Sequence, residues 1–336
     1  MTPILRWALI GASDIAATRM IPAMRALGHQ VTGVASGSAE RAAGFAAAHG
    51  IPYGTVDVTA LVARDDVDAV YVSSTNDRHR AHAEAALAAG KQVLCEKPLA
   101  TSLDDARALI GAADRAGVLL AVNHHLPGAV THRRIRDLVR SGAVGRPLAV
   151  RVFHAVSLPE RLRGWRLEDR PGAGVIMDIT CHDASVVNPL LDRPAVDAVA
   201  LPARQGPWKA GSEDAAVTAI RYRDDVLVQT HDAFTVPFAP TGLEVHGDEG
   251  SILAADVMTQ DPIGEIVLRD RTGVHPVEVG ERRDLYEIVL EAFAMGRPTA
   301  TGHDGLAALA VADAVLRSTQ TGRREAVRGF PEELDA

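Results

Sequence analysis

Ile10-Gly11-Ala12-Ser13-Asp14-Ile15-Ala16 lies where the short apolar run from Leu5 ends and a longer amphipathic segment begins. A strand that turns at a glycine straight into a helix offers free N–H groups and a partial positive charge at the helix N-terminus, where a dinucleotide pyrophosphate can bind. Gly11 fills the first glycine position of the G-x-G-x-x-G/A pattern, Ser13 stands at the second, and Ala16 at the third, which tolerates alanine. Alone the motif is weak, because Ser13 or Asp14 could simply cap an ordinary helix. Its surroundings carry more weight.

Downstream the same rhythm recurs. Strand candidates Leu5–Ile10, Gln30–Ala35, Ala69–Ser73, Gln92–Cys95 and Val118–Asn123 alternate with helix candidates Ile15–Leu27, Ala39–His49, His79–Ala89 and Leu103–Ala116. Gly28, Gly50, Gly90 and Gly117 each fall where a helix should stop, since glycine takes the left-handed C-cap conformation without a Cβ penalty. The fold class read from this is an α/β Rossmann domain with a parallel sheet over residues 1–123. From 124 to 336 the pattern changes. A helix from Thr131 to Ser141 is followed by strand-like segments at Leu148–Ala155, Ala215–Tyr222, Val226–Ala233, Leu243–Gly247, Ile263–Leu268 and Val274–Val279, with helices at Asp284–Met295 and His303–Thr319. Val226 to His231 alternates apolar with polar, as expected of a mainly antiparallel open sheet with one buried face. This second part reads as an α+β substrate and oligomerisation domain, and an open sheet face would favour a homo-oligomer through it.

Composition bounds the function. The 336-residue chain is 47% hydrophobic and 23% charged, which fits a globular protein of about two domains rather than a disordered or fibrous one. A formal charge of −8 without a basic cluster argues against nucleic acid as a partner. No apolar run approaches the roughly 18 residues of a membrane span, and no basic n-region or cleavage site opens the chain, so the expectation is a cytoplasmic protein with no membrane partner. Cys95 and Cys181 are too few and too far apart for a disulfide framework or a zinc site.

Three further stretches carry chemistry. The second strand ends at Ser36-Gly37-Ser38-Ala39-Glu40-Arg41, with no acid at Ser36, where an NAD enzyme usually holds the ribose hydroxyls with a carboxylate. A carboxylate there would repel a 2′-phosphate, whereas hydroxyls and a guanidinium bind it through charge-assisted hydrogen bonds. Ser36, Gly37 and Arg41 therefore predict NADPH/NADP in preference to NADH, set against a plain reading in which Ser38 caps a helix and Arg41 is a solvated charge. Cys95-Glu96-Lys97-Pro98-Leu99 follows another strand at the carboxyl edge of the sheet. The Lys97 ammonium there can stabilise an alkoxide as hydride arrives, and Pro98 can fix the backbone through a cis bond. In Gly172 to Asp183, Asp178 and His182 would lie i and i+4 on one helix face, so that the carboxylate orients the imidazole or substrate hydroxyls and His182 gives or takes a proton. A divalent metal pair or a purely structural Asp and His compete with that reading; no third ligand with suitable spacing is evident, and no metal is expected.

Together the degenerate glycine motif, Glu96-Lys97-Pro98 and Asp178-x-x-x-His182 resemble the Gfo/Idh/MocA oxidoreductase family along nearly the whole chain. That resemblance implies that Gly11, Ala12, Ser13, Asp14 and Ile15 hold the pyrophosphate, and Ser36, Gly37 and Arg41 the 2′-phosphate end. It also implies that Ser74, Thr75, Asn76 and His79 line the loop beside the cofactor ribose, with Glu96, Lys97 and Asn123 nearer the nicotinamide. Trp165, Arg166 and Tyr286 would close the cleft from the second domain, and Lys97, His182 and Asp178 would do the chemistry on a sugar-like ketone. One departure is visible: many members carry an acid three residues after the histidine, where this chain has Ser185 and places Asp183 next to His182. The alternatives are an NAD(P)-dependent polyol or inositol dehydrogenase on the same scaffold, and a cofactor-sensing binding protein that has lost turnover.

Overall fold

The computed structural model describes residues 2–208 and 211–329. The chain divides into two compact units. The first holds the residues up to His125 together with Asp284–Leu306; the second holds Leu126–Arg283 and the chain from Ala307 onward.

In the first unit β1 (Arg6–Ile10), β2 (Gln30–Ala35), β3 (Gly54–Thr55), β4 (Ala69–Val72), β5 (Gln92–Cys95) and β6 (Leu120–Val122) form a parallel sheet in the order β3-β2-β1-β4-β5-β6. The order reverses between β1 and β4, and open α/β sheets bind ligands beyond the carboxyl ends of their strands at such a switch point. The expected helices are present at Ala39–Ala48, His79–Ala88 and Leu103–Ala116, and Gly28, Gly50, Gly90 and Gly117 all have positive φ. The first helical segment differs from a regular helix: a π-helical turn, Ala16–Met20, leads into the α-helix Ile21–Ala26. The two-residue β3 and the short helix Val58–Val62 were not foreseen, because neither is long enough to show a period.

The largest difference from the sequence reading is the return of residues 284–306 to the first unit. Leu285, Tyr286, Val289, Leu290 and Phe293 make a continuous buried stripe on the helix Leu285–Ala294, packed in one core with Trp7, Met20, Met24 and Tyr71. The rings of Trp7 and Phe293 are 5.2 Å apart. Tyr286 is therefore a core residue of the first unit, wholly buried and stacked on His125, and not a residue of the second domain. A stripe of this kind shows that a helix is amphipathic but not which sheet it covers.

The second unit is built on β7 (Pro147–Ala155), β8 (Ala195–Ala203), β9 (Ala215–Tyr222), β10 (Leu227–Ala233), β11 (Gly242–Gly247), β12 (Gly250–Ala255), β13 (Glu265–Asp270), β14 (Gly273–Pro276) and β15 (Glu325–Ala326). They form one sheet in the order β14-β13-β12-β11-β7-β10-β9-β8-β15. Every pairing is antiparallel except β7 with β10, which agrees with the mainly antiparallel sheet expected. Val228, Thr230 and Asp232 of β10 are buried while Leu227 and Gln229 are exposed, so one face is covered and the other open. Alanine-rich β8, with Pro202 inside it, and β12 escaped the sequence reading because neither shows the β-branched alternation that marks a strand. No helix among the described residues is long and apolar enough to cross a membrane.

Candidate active site

Gly11 ends β1 with φ +121°, its N–H donating to the Ala35 carbonyl at 2.9 Å and its own carbonyl accepting from the Ser73 hydroxyl at 3.3 Å. Ser13 explains how the second glycine of the motif can be dispensed with. Its Oγ accepts from the Ala16 N–H at 3.2 Å and donates to Ser73 Oγ at 2.8 Å, so the hydroxyl caps the turn and ties it to the loop after β4. Ala12 is held from the other side, its carbonyl accepting from Arg41 Nη2 at 2.8 Å. Asp14 and Ile15 follow at the head of the π-helical turn.

At the end of β2, Ser38 caps its helix by accepting from the Arg41 N–H, and Ser36 N–H donates to the Thr55 carbonyl. Ser38 thus caps the helix through the Arg41 backbone alone, so the capping makes no demand on the Arg41 guanidinium. A residue missed by sequence reasoning stands alongside: a Cβ on Gly37 would lie 3.9 Å from Arg78 Nη1. Among the described residues neither Arg41 nor Arg78 forms an ion pair with a carboxylate. Two guanidiniums thus border one loop without neutralisation, in a chain whose arginines elsewhere pair readily, as Arg6 does with Asp68 and Arg64 with Asp66. Such a pair fits a phosphate better than a bare hydroxyl. Arg78 was hidden because it belongs to the loop after a different strand.

The loop after β4 is organised from within. His79 is wholly buried, its ring nitrogens 2.8 Å from the Pro98 carbonyl oxygen and 3.0 Å from that of Ser74, and burial lowers its pKa. It joins this loop to the Lys97-Pro98 turn and presents neither nitrogen outward. Ser74 Oγ meets His82 Nδ1 at 2.9 Å, and Thr75 and Asn76 open the short 3₁₀ turn between them.

After β5 the Lys97-Pro98 bond is cis, as the sequence suggested. A buried carboxyl anchors this turn. Glu96 accepts from the Tyr71 hydroxyl in a short hydrogen bond and from Asn123 Nδ2 at 2.6 Å. Burial pushes the Glu96 carboxyl above the usual carboxylate range, while those hydrogen bonds and the Lys97 charge pull it back. Asn123 is itself buried and committed to Glu96. His124, which the sequence reading did not single out, is wholly buried, and its pKa falls to about 3, first from burial and then from the Lys97 ammonium. It is therefore neutral at any working pH. A tyrosine hydroxyl in the middle of buried β4 needs a partner, and that was the signal available for this anchor.

In the second unit the Asp178 stretch is not a uniform helix. Ile176–Thr180 forms a π-helical turn and Cys181–Leu191 an α-helix, a local widening that often marks functional positions. Asp178 and His182 are both buried. Asp178 Oδ2 accepts from Arg166 Nε at 3.1 Å, and the Arg166 guanidinium lies 4.6 Å from the centre of the Trp165 ring. Trp165 and Arg166 thus orient the carboxylate rather than merely forming a rim. Ser185, at the position where an acid is common, donates to the His182 carbonyl at 2.7 Å and serves its own helix.

A parallel sheet in this order, turned at a positive-φ glycine beside its switch point, is the architecture of a Rossmann dinucleotide-binding domain. Sequence comparison gives the same result. Residues 5–124 match the oxidoreductase family with an NAD-binding Rossmann fold, and residues 132–253 match the GFO/IDH/MocA C-terminal domain. The chain is 49% identical over 325 residues to 1,5-anhydro-D-fructose reductase of Ensifer adhaerens, covering 95% of this chain and 97% of that one. It is 26% identical to a D-xylose 1-dehydrogenase (NADP(+)) of Haloferax volcanii over 95% of its length and 98% of the relative's. The crystal structure of aldose-aldose oxidoreductase from Caulobacter crescentus superposes with a TM-score of 0.86 at 24% identity, over 96% of this chain and all of that one. The chain belongs to the Gfo/Idh/MocA family and is an NAD(P)-dependent oxidoreductase.

Proposed function

We propose that this enzyme uses NADPH to reduce the ketone carbonyl of a small sugar-like substrate, with 1,5-anhydro-D-fructose, reduced to 1,5-anhydro-D-mannitol, as the first candidate. The substrate reading is supported by 49% identity along 95% of the chain to a reductase of that sugar. The cofactor reading rests on one observation above all, the two arginines without carboxylate partners beside a β2 terminus that carries Ser36 instead of an acid.

The cofactor, when bound, supplies hydride from nicotinamide C4. The chain does the rest. Lys97 donates a hydrogen bond to the carbonyl oxygen and meets the negative charge that develops there as the carbon is reduced. His182 delivers the proton that turns the alkoxide into an alcohol, and Asp178, aimed by Arg166, orients the imidazole and the substrate hydroxyls. Gly11 to Ile15 hold the pyrophosphate, and Ser36, Gly37, Arg41 and Arg78 hold the 2′-phosphate. Glu96 and Asn123 act from beneath by holding the turn that carries Lys97, and His79 acts by joining it to the Ser74 loop.

Two measurements test this. Titration of intrinsic fluorescence should show tighter binding of NADPH than NADH; Arg78→Ala should weaken NADPH about tenfold, the scale of one charge-assisted hydrogen bond, and leave NADH unchanged, whereas Arg41→Ala, which also releases the Ala12 carbonyl of the pyrophosphate turn, should weaken both and NADPH the more. Equal affinity of the wild type for both cofactors would sink the NADPH assignment. A panel following NADPH consumption with anhydrofructose, simple ketoses, inosose and aldoses, run beside NADP reduction by polyols and inositol, tests the substrate. Turnover only in the oxidative arm would make the enzyme a polyol dehydrogenase instead.

A further inference from the structure

Directly after His182 the chain buries a second carboxylate that the mechanism above does not use. Asp183 is 1% exposed and Asp232, facing it from β10, is 0% exposed. Asp183 Oδ1 lies 2.7 Å from His154 Nδ1 of β7. Asp232 Oδ2 accepts from the Thr180 hydroxyl at 2.5 Å, and the Thr230 hydroxyl lies 3.3 Å away. Among the described residues the remaining oxygens, Asp183 Oδ2 and Asp232 Oδ1, find no N–H or O–H donor, and the two carboxyls interact with each other. Two ionised carboxylates offer only acceptors, so this contact is attractive only if a proton lies between them. The ring of His154 is also 6.1 Å from that of His182.

We propose that Asp183 and Asp232 share one proton and that this pair, bridged to Thr180 and His154, is a positioning device for His182. Thr180 precedes the imidazole by two residues and Asp183 follows it by one, so the two tethers grip the chain on both sides of His182, at the junction of the π-helical turn with the α-helix. The device rests on the reading of His182 as proton donor. The groups facing it agree with a single shared proton. Burial raises the Asp183 carboxyl to about 7 and pushes Asp232 well above its ordinary range, Asp183's charge pushing it the same way. Tyr222 on β9 is held un-ionised by burial and by Asp183, and its hydroxyl donates to Asn188 at 2.8 Å. His132, from the helix Val130–Arg140, is lowered to about 4 by burial, so it adds no charge.

The sign of the pH dependence follows. A carboxyl whose folded pKa lies above its unfolded one binds more protons when folded, so its contribution to stability is present at low pH and is lost as pH rises through the folded pKa. Forcing the shared proton out leaves two buried like charges facing each other. In Asp232→Asn, the amide nitrogen donates to Asp183 permanently while the amide oxygen still accepts from Thr180. Asp232→Ala removes both links.

The experiment compares these two variants with wild type and with His182→Ala. Asp232→Asn should keep kcat within about threefold of wild type and should lose the fall in Tm expected of wild type as pH rises from about 4, where an unfolded Asp titrates, through about 7. Asp232→Ala should lose kcat by about tenfold or more with KM for the sugar unchanged, as expected when a proton donor is displaced but substrate contacts remain. If Asp232→Asn loses as much kcat as Asp232→Ala, or its Tm falls with pH as wild type does, the shared proton is refuted. If Asp232→Ala turns over like wild type, the pair does not position His182. Should Asp232→Ala not fold, Asp183→Asn, which keeps the hydrogen-bonding atoms and reverses the bridging donor, must reproduce the flattened Tm profile. Full turnover in His182→Ala would instead remove the underlying assignment, an outcome separable from the others.

Discussion

Lys97→Ala is expected to lower kcat by about three orders of magnitude while leaving the Kd for NADPH within about twofold of wild type. Removing one donor aimed at a developing oxyanion costs about 10²–10³ in rate, and a proton-handling role adds to that. The surroundings of Lys97 explain why the loss should fall on kcat. The ammonium stands on a cis-proline turn fastened by His79 to the Ser74 loop, over a buried Glu96 clasped by Tyr71 and Asn123. Its position is thus set before substrate arrives, which is the condition under which a charge stabilises a transition state without reorganising. The hydrogen bonds that fasten the turn come from His79, Tyr71 and Asn123, so alanine should leave the turn and the pyrophosphate loop standing. Single-turnover kinetics with preloaded NADPH, beside fluorescence titration of the cofactor, separate the two quantities. Wild-type single-turnover rates in Lys97→Ala would remove the lysine from the chemistry. Lys97→Arg should recover only part of the loss, because a planar guanidinium cannot occupy the place of a compact ammonium.

How far the sequence could be read differs between the two units for a physical reason. Parallel strands buried on both faces appear as short apolar runs, and their helices end at glycines that must adopt positive φ, so β1, β2, β4 and β5 and the helix stops at Gly28, Gly50, Gly90 and Gly117 were legible. Contacts made across the fold were not. Arg78 meets Gly37 from another loop, Tyr71 reaches Glu96 from the neighbouring strand, and Asp232 meets Asp183 from a strand far along the chain; none of these pairs leaves a period or a spacing behind. The apolar stripe of Leu285–Ala294 identified a helix correctly and its destination wrongly, because apolar area is non-directional and chain order alone put Tyr286 in the second domain. Ser13 is the converse case. It looked like a defect in the glycine motif, and its hydroxyl supplies the cap and the link to Ser73 that make the turn stable without a second glycine.

Gly11→Ala should destabilise the enzyme by about 3 kcal/mol or more, most of it in the first unit. Two costs add at this position. A φ of +121° is open to glycine and strained for alanine, by about 1–3 kcal/mol. The added Cβ would also lie 2.6 Å from the Ser73 carbonyl carbon, 2.7 Å from its oxygen and 2.8 Å from the Ser74 nitrogen, all backbone atoms that cannot swing aside. Relief requires β1 and the loop after β4 to separate, which breaks the Ser13–Ser73 hydrogen bond and moves the pyrophosphate turn, so NADPH should bind at least about tenfold more weakly. At about 2–4 °C per kcal/mol for a unit of this size, Tm should fall by about 6–12 °C. Gly44 is the internal comparison. It sits exposed inside the helix Ala39–Ala48 with nothing within 4 Å of a Cβ, so Gly44→Ala should stabilise by about 0.5–1 kcal/mol through reduced backbone freedom of the unfolded chain. The same methyl group is thus expected to act with opposite signs at positions 11 and 44. Thermal melts of both variants, with and without NADPH, measure the difference, and a Gly11→Ala variant that melts with wild type would show that the turn does not need its glycine.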